Sequence, residues 1–314
     1  MSFTRGRIRA LLCLAAILCT LLPVSTDAGT YDGIVVFGDS LSDDGNLFAL
    51  TGGALPPSPP YGNGRFSNGP VWNEYLAAGL GLPLTNLAFG GAFTGHGNHL
   101  IGPAGPGLLD EVALFASLHP SGADPSSLYA VWAGANDFFD APSPSTIGPA
   151  VTNLVTAVGT LAGLGATHIL VFNMPDLGKT PDGLSSGFSV ELTALTLAFD
   201  GALDSTLSGL GLPGLTEFDT FGAVHQIIAD PGAFGLTDVT TACLNLSPFS
   251  VCADPDQHLF WDSVHPTTRV HSILAADVAS AIPAPPTVVL LGAGLIAATV
   301  AGRRRRRSHS QERP

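Results

Sequence analysis

The sequence is poor in positive charge. It carries 12 Lys and Arg against 25 Asp and Glu, a formal net charge of −13. Most of the cations sit at the two ends. Residues 29–282 keep only Arg65, Lys179 and Arg269 against 23 acids, a formal charge of −20. Such a surface repels phosphate backbones, which excludes nucleic acid as a partner. Internal repeats are missing, and no linker-like stretch interrupts residues 29–282, so this span reads as one domain. With 38 Gly and 25 Pro, the chain breaks too often for a coiled coil. Long apolar runs are absent from the interior. The two that exist lie at the ends, at residues 10–22 and 287–302, and both fall short of the ~20 residues of a spanning helix. Cysteine is also rare, with four in the chain.

The ends read as targeting segments. Arg5, Arg7 and Arg9 precede the apolar run 10–22, Pro23 breaks it, and Thr26-Asp27-Ala28 offers small residues for cleavage before Gly29. Residues 1–28 are therefore expected to be a signal peptide. Cys13 and Cys19 lie within it, and neither follows a small residue as a lipoprotein signal requires. Cys243 and Cys252 remain, and in an oxidising compartment they are expected to pair. At the other end, Pro283-Ala-Pro-Pro286, the apolar stretch 287–302 and the Arg block 303–307 follow in that order. The Arg block places its end in the cytoplasm. This arrangement resembles the PEP-CTERM sorting signal of Gram-negative bacteria, although Ala284 stands where that signal usually has Glu. The resemblance implies a sorting segment over residues 283–314 with a transient inner-membrane helix at 287–302, an exosortase-type processing enzyme as partner, and delivery to the cell surface or beyond.

Between the ends, short apolar runs alternate with helical patterns. Residues 34–37, 85–89, 128–132, 168–172 and 215–218 read as strands. Residues 70–80, 107–118, 145–164, 189–210, 222–229 and 267–281 read as helices, the first opened by Ser67-Asn68 and Pro70. Alternation of this kind predicts a parallel sheet covered on both faces. Ligands in such folds bind beyond the C-terminal strand ends. Polar clusters fall there: residues 38–42, Gly90-Gly91, residues 134–137 and residues 173–176, with Asp262–His265 ahead of the last helix.

The first cluster, Phe37-Gly-Asp-Ser-Leu-Ser-Asp-Asp-Gly-Asn46, puts Ser40 at a strand-to-helix turn. It lacks the Gly-x-Ser-x-Gly elbow, because Ser42 occupies the second Gly position. A Ser hydroxyl needs a base to become a nucleophile. His265 in Asp262-Ser-Val-His265 is the candidate, since an acid three residues earlier can reach Nδ1 and leave Nε2 free to take the Ser proton. A tetrahedral intermediate also needs fixed donors. The N–H groups of Ser40 and Gly90 and the side-chain amide of Asn136 could provide them. The neighbours receive structural readings: Asp43-Asp44 as helix caps, Asp137 as an anchor, and Arg65 as a partner for an acid or an anionic substrate. His96 and His99 lie in a glycine loop and do not make a metal site.

Ser40 in Gly-Asp-Ser-Leu-Ser, Gly90, Asn136 in Gly-Ala-Asn-Asp, and His265 with Asp262 resemble, in that chain order, the four blocks of the GDSL/SGNH hydrolases. Phe66-Ser-Asn-Gly69 and Asn173-Met-Pro-Asp-Leu-Gly178 are similar to stretches of the lipase branch. The resemblance runs from about residue 34 to 266. It implies a three-layer α/β/α sandwich with a parallel, flavodoxin-like sheet. It further implies hydrolysis of carboxylic esters through an acyl-enzyme, with no metal or cofactor. Lipid, acylglycerol, small-ester and acetylated-glycan substrates all stay open. Acyl transfer by the same triad and a non-catalytic binding module are the alternatives. Phe89, Phe93, Phe138 and Phe139 near the expected cleft favour an apolar acyl chain.

Overall fold

The computed structural model describes residues Tyr31–Ile282. The expected signal peptide and the expected C-terminal sorting helix lie outside the described residues. Among the described residues, no helix is long and apolar enough to cross a membrane.

Five strands form the central sheet: β1 (Ile34–Gly38), β2 (Leu84–Asn86), β3 (Leu128–Trp132), β4 (His168–Phe172) and β5 (Leu215–Phe218). They pair in parallel in the order β2-β1-β3-β4-β5. This is the flavodoxin-like order, whose direction of winding switches between β1 and β3. The strands in the middle are apolar throughout because both faces are covered. Period-two alternation divides their side chains. Val35, Phe37, Tyr129, Val131, Ile169 and Val171 face one core. Ile34, Val36, Leu128, Ala130, Trp132 and Leu170 face the other.

Nine α-helices accompany the sheet among the described residues: α1 (Asn46–Leu50), α2 (Trp72–Leu80), α3 (Leu108–Leu118), α4 (Ala135–Asp140), α5 (Pro144–Gly163), α6 (Pro181–Ser185), α7 (Ser189–Gly209), α8 (Thr220–Ala229) and α9 (Thr268–Ala281). Helices α3, α5 and α7 contribute Phe115, Leu154 and Phe199 to the first core. Helices α2, α8 and α9 contribute Trp72, Ile227 and Leu274 to the second. The result is the three-layer sandwich that strand–helix alternation predicts.

Two boundaries differ from the sequence expectation for local chemical reasons. The strand expected at 85–89 ends at Asn86. There the side chain accepts the Ala88 N–H at 2.9 Å and donates to the Ser42 carbonyl at 2.6 Å. The helix expected from Pro70 begins at Trp72. Glu74 in its first turn accepts the Val71 N–H at 2.9 Å, while the Asn68 side chain serves another helix by accepting the Thr268 N–H at 2.8 Å.

The segment after α8 also departs from expectation. It forms four short strands: β6 (Asp238–Ala242), β7 (Leu244–Leu246), β8 (Phe249–Val251) and β9 (His258–Phe260). Strands β7 and β8 make an antiparallel hairpin, and β6 pairs with β9. The hairpin is solvent-exposed apart from Leu244, so it has no buried face to create an alternating pattern. Cys243 and Cys252 form the expected disulfide across its base. Both cysteines precede the final strand β9, and the β7–β8 hairpin lies between them.

Candidate active site

The switch between β1 and β3 puts two chain reversals side by side. Strand β1 ends at Gly38, whose positive φ of 140° and contact with the Trp132 carbonyl leave no room for a Cβ. The chain then turns through Asp39 and Ser40. Strand β3 ends at Trp132 and leads into α4, which carries Asn136. Strand β9 brings Asp262 and His265 to the same end, and the Trp261 N–H closes their loop on the His265 carbonyl at 2.7 Å.

Three of the expected residues meet in one line of contacts. His265 Nε2 lies 2.8 Å from Ser40 Oγ, and His265 Nδ1 lies 2.9 and 2.8 Å from the two Asp262 carboxylate oxygens. The separation of three residues works because Asp262 Oδ1 also accepts the Val264 and His265 N–H groups at 2.9 and 2.8 Å. Burial alone would raise the Asp262 carboxyl. The His265 charge, together with hydrogen bonds from His265, Tyr61 and Val264, outweighs it and holds the carboxyl below its usual range.

Asn136 is buried at the start of α4. Its Nδ2 donates to the Ala92 carbonyl at 3.1 Å and makes a long 3.4 Å contact with Asp39 Oδ2. The Ser40 N–H has no acceptor among the described residues. Gly90 is different from expectation. Its N–H donates to Asp43 Oδ2 at 2.7 Å and is not available as an oxyanion donor. The following amide, that of Gly91, has no acceptor among the described residues and lies in the same turn as Ala92. Both glycines are required sterically. A Cβ on Gly90 would run into the Phe66 ring, and Gly91 has a φ of 81°.

The neighbours behave as structural parts. Asp43 also accepts the N–H groups of Gly45, Asn46 and Leu47, so it caps α1 as expected while gripping Gly90. Asp44 adds no such bond. Asp137 accepts both the N–H and the hydroxyl of Thr94, at 2.9 and 2.7 Å, and so anchors the glycine loop. Arg65 forms a two-bond pair with Glu74. His96 pairs with Asp110 at 2.7 Å and His99 approaches Asp140 at 3.8 Å, so each has its own carboxylate. In the cluster at residues 173–176, Asn173 caps α8 and Asp176 binds His225 at 2.8 Å.

Four further residues support the site: Tyr61 and Glu111 carry no sequence signal of their own, while Phe66 and Asp39 lie in the motifs quoted above, which gave them no role. Tyr61 donates its hydroxyl to Asp262 Oδ2 at 2.6 Å. Phe66 stands against His265, with ring centroids 5.1 Å apart, and fills the space beside Gly90. Glu111 is fully buried and accepts the N–H groups of Gly38 at 2.7 Å and Phe89 at 3.2 Å, tying β1 to the chain after β2. Asp39 is buried beside the nucleophile candidate. Burial pushes its carboxyl up to about 7, against the lowering effect of the Leu41 N–H and the His265 charge. Ser67 completes the support by donating to the Pro266 carbonyl at 2.9 Å.

Residues 34–278 match the model of the family described as GDSL-like lipase/acylhydrolase. The chain belongs to this family. It is 30% identical over 328 residues to a phosphatidylcholine-sterol acyltransferase of Aeromonas hydrophila, covering 86% of this chain and 96% of that one. It is 28% identical over 274 residues to a secreted effector protein of Salmonella typhimurium, covering 83% of this chain and 66% of the relative. Among solved structures, a carbohydrate acetylesterase from Sinorhizobium meliloti is similar at 18% identity and a TM-score of 0.47, covering 79% of this chain and 98% of that one. The family includes hydrolases and acyltransferases, and membership supports hydrolase activity for this chain.

Proposed function

We propose that the protein is a serine carboxylic-ester hydrolase that works through an acyl-enzyme. The observation that carries this reading is the Ser40 Oγ to His265 Nε2 contact of 2.8 Å, continued to Asp262 through Nδ1. His265 takes the Ser40 proton as Oγ attacks the ester carbonyl. Negative charge then develops on the carbonyl oxygen. The N–H groups of Ser40 and Gly91 and the Asn136 amide are the donors we assign to it. Collapse expels the alcohol, which takes the proton from His265. Water, deprotonated by His265, attacks the acyl-Ser40 and releases the acid. Asp262 holds the imidazole orientation and stabilises its charged form throughout.

The same acyl-enzyme can be resolved by an alcohol instead of water, which makes acyl transfer the second reading. The similarity to a phosphatidylcholine-sterol acyltransferase over nearly its whole length favours it. Export, expected from residues 1–28, is in keeping with the relative named as a secreted effector. The test is Ser40→Ala assayed on a chromogenic short-chain ester. Turnover is expected to vanish while the circular dichroism spectrum is retained. Substantial turnover by the folded variant would remove Ser40 from the mechanism. Adding a sterol or another alcohol then separates the readings, because an acyltransferase yields a new ester in place of free acid.

A further inference from the structure

The proposed chemistry at Ser40 leaves one neighbouring acid without a part. Asp39 directly precedes the nucleophile, is 1% exposed, and divides its carboxylate between two elements. Oδ1 accepts the Leu41 N–H at 3.0 Å, two residues on, and closes the turn that carries Ser40. Oδ2 faces Asn136 Nδ2 at 3.4 Å, across 97 residues of chain. The Asp39 N–H donates to the Trp132 carbonyl at 3.2 Å, which pins the turn to the end of β3, from which α4 and Asn136 follow. One carboxylate therefore bridges the two sides of the proposed oxyanion site. On one side is the turn that presents the Ser40 N–H, and on the other the helix start that presents the Asn136 amide.

The Asn136 side chain has two amide hydrogens. The Ala92 carbonyl takes one at 3.1 Å, and Asp39 Oδ2 takes the other over the longer distance. An asparagine side chain can turn over about its last torsion and exchange its oxygen for its NH2. Turned that way, its oxygen would meet the Ala92 carbonyl and the Asp39 carboxylate, acceptor against acceptor. The longer of the two bonds is the one an oxyanion replaces at least cost. We infer that Asp39 is a positioning residue: it holds the Asn136 amide in the orientation that donates to the oxyanion. The inference rests on the proposed acyl-enzyme and deepens it. The charged groups facing Asp39 from other elements are His265, Asp137 and Glu111. Asp137 is committed to Thr94, and Glu111 to the N–H groups of Gly38 and Phe89, so neither replaces Asp39 as the acceptor for Asn136. Burial pushes the Asp39 carboxyl up to about 7, so it is ionised and accepts fully at pH 8.

The test compares Asp39→Asn with wild type, as full chains, on a chromogenic short-chain ester at pH 8. Asparagine keeps the shape, and its oxygen can stay on the Leu41 N–H. Its NH2 then meets the Asn136 NH2, donor against donor. The value of kcat should fall about tenfold or more, the scale of one hydrogen bond to a charged group, with KM changed less than about twofold. In an Asn136→Ala background the same substitution should cost less than about twofold, because the residue it acts through is gone. Loss of the Asp39 charge beside His265 should also move the acid limb of the pH–rate profile to lower pH, since the charged imidazole loses support. Asp39→Ser keeps an acceptor for the Leu41 N–H and withdraws the one for Asn136. It should reproduce the loss in kcat, and serves if the asparagine variant does not fold. An unchanged or raised kcat in the folded variant would overturn the role. So would a loss that persists in full in the Asn136→Ala background. Either result, with Ser40→Ala inactive, leaves the hydrolase reading standing. A wild type that turns over no ester would remove the hydrolase reading and the role of Asp39 with it.

Discussion

At the scale of single residues, the candidate site depends on how each polar group is occupied. The Tyr61 hydroxyl and the His265 imidazole both contact Asp262 Oδ2, at 2.6 and 2.8 Å. Tyr61 itself is kept protonated, since burial and the Asp262 charge push its hydroxyl up. Its O–H therefore shares the negative charge that faces the imidazole. Tyr61→Phe should lower kcat about tenfold, the scale of one hydrogen bond to a charged group, with little change in KM. It should also move the acid limb of the pH–rate profile to higher pH, because the freed carboxylate favours the charged imidazole more strongly. An unmoved profile with a raised KM would make Tyr61 a packing residue. Asn136→Ala should lower kcat by roughly 10²–10³, as loss of one oxyanion donor does in another serine hydrolase. A rise confined to KM would assign Asn136 to substrate positioning.

At the scale of elements, the disulfide-closed hairpin supports the loop that carries His265. The Cys243 and Leu244 N–H groups donate to the carbonyls of Phe260 and Trp261, and Trp261 closes on His265. Replacing both Cys243 and Cys252 with Ser should cost about 2–3 kcal/mol on the chain-entropy account. For a domain of this size, that corresponds to a fall in Tm of roughly 5–10 °C by calorimetry. An unchanged Tm would mean that the hairpin contributes nothing to the stability of the fold. The sequence made the central sheet legible because strands such as Ile34–Gly38 and Leu128–Trp132 are apolar throughout and sit between helical patterns. It also made Ser40, Asn136, Asp262 and His265 legible, because each stands in a polar turn at a strand end or before a helix. The hairpin left no trace because its strands are three residues long and mostly solvated. Gly90 and Gly91 could not be told apart, since only the Asp43 contact decides which amide is occupied. Tyr61 and Glu111 reach the site across 201 and 73 residues of chain, and no local pattern encodes such contacts.

At the scale of the whole molecule, buried ionisable groups set opposing pH slopes on stability. Burial pushes Asp39, Asp200 and Glu217 up to about 7. A carboxyl raised in the folded state binds more protons there than when unfolded, so its share of stability falls as pH climbs from about 4 to 7. His271 is fully buried and its imidazole is pushed down to about 3. The unfolded chain then binds the extra proton, and stability falls as pH drops below the ordinary imidazole range. Three carboxyls outweigh one imidazole, so on these groups stability should fall from about pH 4 to 7. Asp200 has one oxygen, Oδ2, without a hydrogen-bond partner. Asp200→Asn should raise Tm by several degrees at pH 8 and by clearly less at pH 5, where only about one pH unit of that loss has accrued. An equal shift at both values would indicate a packing effect. The central claim concerns chemistry at Ser40, and covalent trapping of the nucleophile tests it most directly. The protein would be treated with a serine-directed alkyl phosphonate ester and measured by intact mass and peptide mapping. The account predicts one adduct per chain, located on Ser40, with labelling greatly slowed in His265→Ala. An unlabelled chain, or an adduct on another residue while Ser40→Ala keeps its ester turnover, would contradict it.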